Sequence, residues 1–535
     1  MSSNIFKVSL VAATIAASFG AHAALYNVYL QDPEGTSSSL QTYGVAVAPN
    51  TTNCWSVGST CSDSTSEMAT EVKRYREGFQ YRDESPFFLP YGWTYLDDNY
   101  DGFRNYCRNF LGYSYSLCDD WADKQYTQGY AKEQAGNYAG SIAYLNSSAL
   151  YAENTVVNSI DNGFATGNRT IGGSPRNVAF TSINGTSVDD LSRTHNSTTY
   201  AESHAWKTLE DGGTYYTVGS VTKTSNHATS DNNSYAAVWV DGVLQAPIDW
   251  ISSTTTNNGD RRAHASARDI IKDGNVLYAV GYNSDSDVYF RATVFKSDNN
   301  GGTSWTSKAV DGFPYATSEY ANQTLQAVNN NGIAIGTAKL NQALNGAYAN
   351  TLFYVDSLTS PVYKAFSGSI FFNGASGKAG GINNSNDVVG TIDFESHKET
   401  NGKPRAKRAF ITNLGTVAGS APIGGIARYL DDLTYGSGAS TDNNQYRIIE
   451  AADINDAGII AATAYYCAGG FDSEAIDATC NAGASLVGVK LVPINGQTAT
   501  DISTRPVTQE TVERQGGTIG FIALTLLGFL GFRRK

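Results

Sequence analysis

In Asp97-Asp98-Asn99-Tyr100-Asp101-Gly102, oxygen-bearing side chains recur at every second residue, and this D-x-N-x-D-G spacing opens an oxygen-ligand calcium loop. Asp97, Asn99 and Asp101 offer three side-chain oxygens to one ion, and Gly102 permits the sharp turn that follows. Arg108 stands where the bidentate glutamate belongs, so the strongest ligand is missing and an Asp-rich surface turn is the better reading. Calcium is the one cofactor the pattern admits. Acid-base hydrolysis would need paired carboxylates, and Asp189-Asp190 and Asp431-Asp432 are candidates for glycan cleavage if the fold brings them together. The plainer reading makes Val188 to Leu191 and Leu430 to Leu433 equivalent polar turns of two repeats. Beyond the leader the histidines are His195, His204, His227, His264 and His397, none in a zinc spacing, and neither G-x-S-x-G nor G-x-x-x-x-G-K-[ST] occurs. The chain reads as a non-enzyme with no catalytic residue to name.

Recognition has more material. Between Tyr75 and Tyr130 lies a dense aromatic set, in which Tyr91, Trp93, Tyr95 and Tyr100 are the candidates for an exposed platform that holds a sugar or a protein partner. The alternative is a cap whose rings fill its own small core, with helix around Asp119 to Gln134. Six cysteines, Cys54, Cys61, Cys107, Cys118, Cys467 and Cys480, read as disulfides in an exported chain. Six allow fifteen connectivities; short separations favour Cys54 with Cys61, Cys107 with Cys118, and Cys467 with Cys480. No close Cys/His pair suits zinc.

Composition says what must carry these residues. A chain of 535 residues with 53 Gly, 33 Tyr and only 16% charged residues is turn-rich and β-rich. A net charge of −13 excludes non-specific nucleic-acid binding, which needs a basic surface. After residue 150 one phrase returns every 50 to 70 residues: an Ile or Val, two or three Asn/Asp, a turn residue, then small apolar residues ending in Gly or Ala. Ile160 to Gly167, Val328 to Gly336, Ile382 to Gly390 and Ile454 to Ala462 are clear copies, Ile271 to Gly281 a looser one, and Thr217 to Gly219 a fragment. The phrase is strand, tight turn, strand, because Asn and Gly tolerate the positive φ of a hairpin. A third strand follows each copy, with an aromatic at Phe180, Trp239, Phe295, Phe353 and Phe410 that can pack between units. Three or four strands per unit is the arithmetic of an all-β propeller of six blades, or seven if Leu25 to Leu30 and Tyr43 to Val47 add one. A pair of β-sandwiches is the alternative.

The paired phrase resembles the extracellular HAF repeat, an Ile-Asn-Asn-x-Gly-x-Val-x-Gly hairpin followed by an Ala-Phe strand; residues 382–390 with Ala409-Phe410 match best. The ends are addresses. Lys7, an apolar run from Val8 to Phe19 and Ala21-His22-Ala23 form a secretory leader cleaved after Ala23. Gly516-Gly517, an apolar stretch and Arg533-Arg534-Lys535 close the chain, with the basic triplet on the cytoplasmic side of a membrane. This tail resembles the GlyGly-CTERM sorting signal of Gram-negative secreted proteins, which implies processing by a rhombosortase-type protease. The whole layout looks like a family of uncharacterised Gram-negative surface proteins classed only as a domain of unknown function.

The sequence thus divides into a leader (1–23), first strands of the β domain (24–50), a disulfide-tied aromatic insertion (51–150), propeller-like repeats (151–500), a linker (501–515) and a sorting or transmembrane segment (516–535). The expected partners are signal peptidase, a rhombosortase-type protease, the membrane through the C-terminal segment, and a surface glycan or protein ligand. The expected role is binding or adhesion at the cell surface or outside the cell. Glycan hydrolysis with carboxylates in the propeller pocket, or a membrane-anchored structural part of the envelope, are the alternatives.

Overall fold

The computed structural model describes residues 23–508 apart from 36–39, 75–97, 138, 152–154, 162, 171–177, 184–187, 224–232, 253–255, 260, 299–303, 416–422 and 440. Seven four-stranded antiparallel sheets follow one another along the chain, and each is a propeller blade. From the inside outwards, blade 1 is Gln41–Val47, Met68–Lys73, Ser141–Leu145 and Ser148–Tyr151. Blade 2 is Thr155–Asp161, Phe164–Arg169, Val178–Ile183 and Asp189–Asp190. Blade 3 is Glu202–Asp211, Thr214–Thr222, Ser234–Val240 and Val243–Leu244. Blade 4 is Ala265–Asp273, Val276–Ser284, Phe290–Ser297 and Trp305–Ala309, and a single parallel bridge, Phe290 to Asn322, links it to blade 5. Blade 5 is Tyr320–Val328, Ala334–Leu340, Asn350–Val355 and Lys364–Ala365; blade 6 is Gly377–Ile382, Asp387–Asp393, Lys407–Asn413 and Arg428–Tyr429.

Blade 7 takes three strands from the end of the chain, Tyr446–Ile454, Ile460–Tyr466 and Ser485–Pro493, and its outermost strand, Tyr26–Gln31, from the beginning. Each innermost strand packs against those of its two neighbours, and that of blade 7 against that of blade 1, so the ring is closed. The two early strands therefore do not form an extra blade together: one completes blade 7 and the other opens blade 1.

The repeat phrase has a packing reason at each position. The third-strand aromatics Phe180, Trp239, Phe295, Phe353 and Phe410 are wholly buried in apolar clusters that join successive blades. The glycine that ends the phrase lies under that ring and beside the inner strand. A Cβ at Gly390 would stand 2.4 Å from the Lys378 carbonyl oxygen and 2.8 Å from the Phe410 ring, and one at Gly336 2.2 Å from the Thr324 oxygen. No side chain fits there.

The first Asn of the turn does more than permit a hairpin. Asn383 Oδ1 accepts the backbone N–H groups of Ser385 and Asp387, and Asn383 Nδ2 donates to the Asn455 carbonyl of the next blade at 3.2 Å. Asn329 closes its own turn the same way and donates to the Asn383 carbonyl, and Asn455 donates to Ala48 of blade 1. A ladder of buried amides thus ties blades 5, 6, 7 and 1.

The insertion is shorter than the sequence indicates, because three strands of blade 1 fall within 51–150. The first two strands of blade 1 are joined without the Asn turn, and Asn146 turns the outer hairpin instead, which left these strands unmarked. The inserted chain runs from the second strand of blade 1 to the third. Its described part is helical, Asn99–Tyr106, Cys107–Leu111, Tyr115–Ala122, Asp123–Tyr130 and Ala131–Gln134. It docks past blade 7 on blades 5 and 6: Lys339 Nζ donates to the Phe110 carbonyl at 3.0 Å, Ser114 N to the Gly402 oxygen and Asn401 N to the Gly112 oxygen.

Candidate functional site

Every innermost strand carries a bulge, where one residue slips out of register with the second strand. The slipped residues include Val45, Asn158, Trp206, Arg268, Gln326, Gly380 and Ala452, one in each blade. A bulge re-aims its side chain, and here six of these residues line one cavity of about 160 Å³ on the propeller axis. The seventh, Arg268, lies with its guanidinium 3.7 Å from the centre of the Trp206 ring. Tyr43, Glu71, Lys73, Asn168, Lys378, Thr391 and Glu450 complete the polar wall.

The charges of this wall are paired. Glu71 and Lys73 meet at 3.2 Å with both side chains buried, and the Ser141 hydroxyl also bonds Glu71. Lys378 and Glu450 meet at 3.3 Å and remain partly open. The amides of Asn158 and Asn168 are committed to the backbone of Ala205. The Gln326 side chain has no bonding partner among the described residues, and the Thr391 hydroxyl is buried, again without one.

Beyond the bulges a second charged set lies near the axis. Burial works against the Lys207 ammonium, but Asp269, Asp161 and Asp453 outweigh it and raise its pKa. Burial pushes Asp269 up to about 6 against the opposing pull of Lys207, and raises Asp161 and Asp453 as well. Asp269 accepts the backbone N–H groups of Ile270 and Val328, and Asp453 those of Ile454 and Val47. These carboxylates brace one blade against another, blade 4 on 5 and blade 7 on 1.

The residues singled out from sequence lie elsewhere. Asp97, Tyr91, Trp93 and Tyr95 fall outside the described residues, as do the leader up to residue 22 and the tail 516–535. Asn99 and Asp101 begin a helix, and Asp101 pairs with Arg104 at 2.8 Å. Arg108 pairs with Asp119, and no group of three or more metal-ligating side chains occurs among the described residues. Tyr100 stacks edge-on against Tyr126 and donates its hydroxyl to the Asp119 carbonyl, within a small core of Phe103, Tyr106, Ala122 and Tyr130. Ala23 is bridged to Ser437, next to Ala24, which is fully buried.

The two carboxylate pairs are not equivalent turns. Asp189 and Asp190 are exposed on the rim of blade 2, Asp190 against Arg169 at 2.7 Å. Asp431 and Asp432 are buried in a helical turn between blades 6 and 7, where Asp431 accepts from Ile448 N and Asp432 from Arg505 N. The pairs stand on different blades away from the axis, and the fold does not bring them together. The cysteines form three bridges, Cys54 to Cys61, Cys107 to Cys118 and Cys467 to Cys480, which belong to an oxidising compartment. No helix among the described residues is long and apolar enough to cross a membrane.

The pocket residues carry no common type, which hid them, but they do carry a common offset. Asn158, Gln326, Gly380 and Ala452 each lie three positions before the first turn residue of their repeat, Asp161, Asn329, Asn383 and Asn455.

Fold and site together define a seven-bladed, disulfide-bridged propeller with a polar pocket on its axis. The chain belongs to the family described as protein of unknown function (DUF3466), which matches residues 244–535. No curated protein matches it. Among solved structures, a protein of unknown function from Dyadobacter fermentans is similar at 14% identity over 62% of this chain and 92% of its own, with a TM-score of 0.34. The Trypanosoma rangeli sialidase is similar at 11% identity over 63% of this chain and 54% of its own, with a TM-score of 0.33. An endo-arabinase from Bacteroides thetaiotaomicron gives 11% identity over 54% and 92%, with a TM-score of 0.24.

Proposed function

We propose that this protein is an exported propeller that binds a ligand in its axial pocket and performs no chemistry on it. The observation that carries the reading is the ring of bulges, which brings residues of six blades to one cavity on the axis, where the half-buried Gln326 carboxamide makes no hydrogen bond among the described residues. A hydroxyl buried without a partner, as that of Thr391 is, is the exception in folded proteins, and a ligand beside it is one way to satisfy it. The reading without catalysis rests on the carboxylates. Glu71 is held by Lys73 and Ser141, Glu450 by Lys378, and Asp269 and Asp453 by backbone N–H groups, so these four are committed, while Asp161 faces the Lys207 ammonium. The leader and the diglycine tail add export through signal peptidase and sorting by a rhombosortase-type protease to the cell surface.

The test has two arms. Intact mass of the protein from membrane and medium fractions reports its processing: loss of residues 1–23 and of the tail after Gly517 is expected, and a full-length C-terminus confined to membranes overturns sorting. A printed glycan array read for both retention and released product reports function. Retention that Gln326→Ala weakens, with no product, is expected. Product release abolished by Glu450→Gln makes the protein a hydrolase instead.

A further inference from the structure

Size, charge and donor pattern of the axial pocket together restrict its ligand. We infer that it takes a single uncharged sugar ring, an inference that rests on the axial pocket being the binding site. At about 160 Å³ the cavity is smaller than the roughly 300–1,000 Å³ of pockets for drug-sized ligands, so one ring fills it.

The wall holds two cations and two anions, Lys73 with Glu71 and Lys378 with Glu450, and each pair is closed. A ligand with a net charge would have to compete with one of these pairs, at a high cost for the buried Glu71 and Lys73 and a smaller one for the partly exposed Lys378 and Glu450. An uncharged ligand leaves both intact.

Two polar groups of the wall make no hydrogen bond among the described residues, the half-buried carboxamide of Gln326 and the buried hydroxyl of Thr391. Both donate and accept. A carboxylate ligand only accepts and an ammonium only donates, so either would leave half of this capacity unused. A sugar hydroxyl does both. Trp206 and Tyr43 in the same wall supply flat apolar faces for the C–H side of a ring, and the guanidinium of Arg268 holds Trp206 in place.

Calorimetric titration of the disulfide-intact chain tests the inference. The uncharged probes are the methyl glycosides of glucose, galactose, mannose and N-acetylglucosamine. Methyl glucuronide is the anionic counterpart, and glycine and glutamate are zwitterionic or acidic controls. At least one uncharged glycoside is expected to bind, with the glucuronide weaker by up to about fivefold, the worth of the partly exposed Lys378 to Glu450 pair. Gln326→Ala and Thr391→Val are each expected to weaken the glycoside by about fivefold, the worth of one hydrogen bond, without lowering the unfolding midpoint. Binding of the glucuronide or an amino acid, but of no glycoside, with loss in Gln326→Ala, overturns the sugar class and leaves the pocket as the site. Binding of a glycoside that neither variant weakens overturns the placement in the pocket. No binding by any probe overturns the inference, and retention on the array that depends on Gln326 then shows whether the wider reading survives it.

Discussion

Replacing Asn383 by Ala removes four hydrogen bonds at a residue only 4% exposed: those its oxygen accepts from Ser385 N and Asp387 N, and those its amide donates to the Asn455 carbonyl and, at 3.4 Å, to the Asp387 carboxylate. Ser385 is half-buried and can turn to water, but Asp387 is buried and its N–H would lose its partner. Two or three net hydrogen bonds at about 0.5–1.5 kcal/mol each, with a penalty of about 1–3 kcal/mol for a buried group left unsatisfied, give an expected loss of about 2–4 kcal/mol. Urea unfolding without reductant, followed by tryptophan fluorescence, measures it. Because a ring of blades need not unfold in one step, hydrogen exchange over residues 383–390 and 455–460 is read beside it. Two variants sharpen the test. Asn330→Ala alters an exposed neighbour whose side chain makes no bond to the described residues, and should cost no more than about 0.5 kcal/mol. Asn383→Asp keeps the two acceptor bonds but turns an acceptor toward the Asn455 carbonyl and a negative charge toward Asp387, so it is expected to be destabilised and to recover as pH falls and the carboxyl protonates. A loss in Asn383→Ala no larger than that in Asn330→Ala would falsify the ladder as a source of stability.

Two further perturbations test other parts of the ring. His264 is fully buried, bonds Ser234 through Nδ1, and is lowered to about 3 by burial and by Arg262. The unfolded chain then takes up the proton first, so this residue withdraws stability as pH falls from about 6.5 toward 3. Urea midpoints between pH 7 and 4 should fall less steeply for His264→Gln than for the wild type, and parallel curves refute the assignment. The Cys467 to Cys480 bridge closes a loop that holds the C-terminal strap, through Glu474 to Arg505, Ile476 to Pro506 and Asp477 to Thr508. Opening it with Ser at both positions should cost about 3 kcal/mol and create new protease cuts between residues 502 and 508, mapped by mass spectrometry; an unchanged digest would mean that the strap does not depend on the bridge.

Hairpins, third-strand aromatics and local disulfides were legible because each depends on neighbours in sequence: positive φ at a turn, a ring above a glycine, two thiols a short loop apart. The blade count was open by one, because strands such as Met68–Lys73 carry no Asn turn and because the outer strand of blade 7 comes from the other end of the chain. The axial pocket was not legible. It is lined by residues from six separate blades, and Val45, Trp206, Gln326 and Gly380 share a backbone irregularity and no chemistry. Carboxylate pairs attracted notice as chemistry because their residues adjoin in sequence, yet Asp431 and Asp432 serve as internal acceptors for the strap and blade 7. Asp97-x-Asn99-x-Asp101 illustrates the same limit: its second and third members sit on a helix, where alternate residues point to different sides.

The strand that finishes the ring is among the first made. Tyr26–Gln31 pairs with the last strand of the chain, and Val28 donates to Asn443 across a separation of 415 residues. The partner strand follows about 460 residues later, and at roughly 5–20 residues per second a ribosome needs about 20–90 s to supply it. For that interval a stretch rich in tyrosine and aliphatic residues is a strand without a sheet, the kind of edge that recruits other chains. The same separation makes ring closure a late, long-range event with a high entropic threshold. In a nascent chain of this architecture the first strand waits unpaired until the seventh blade exists.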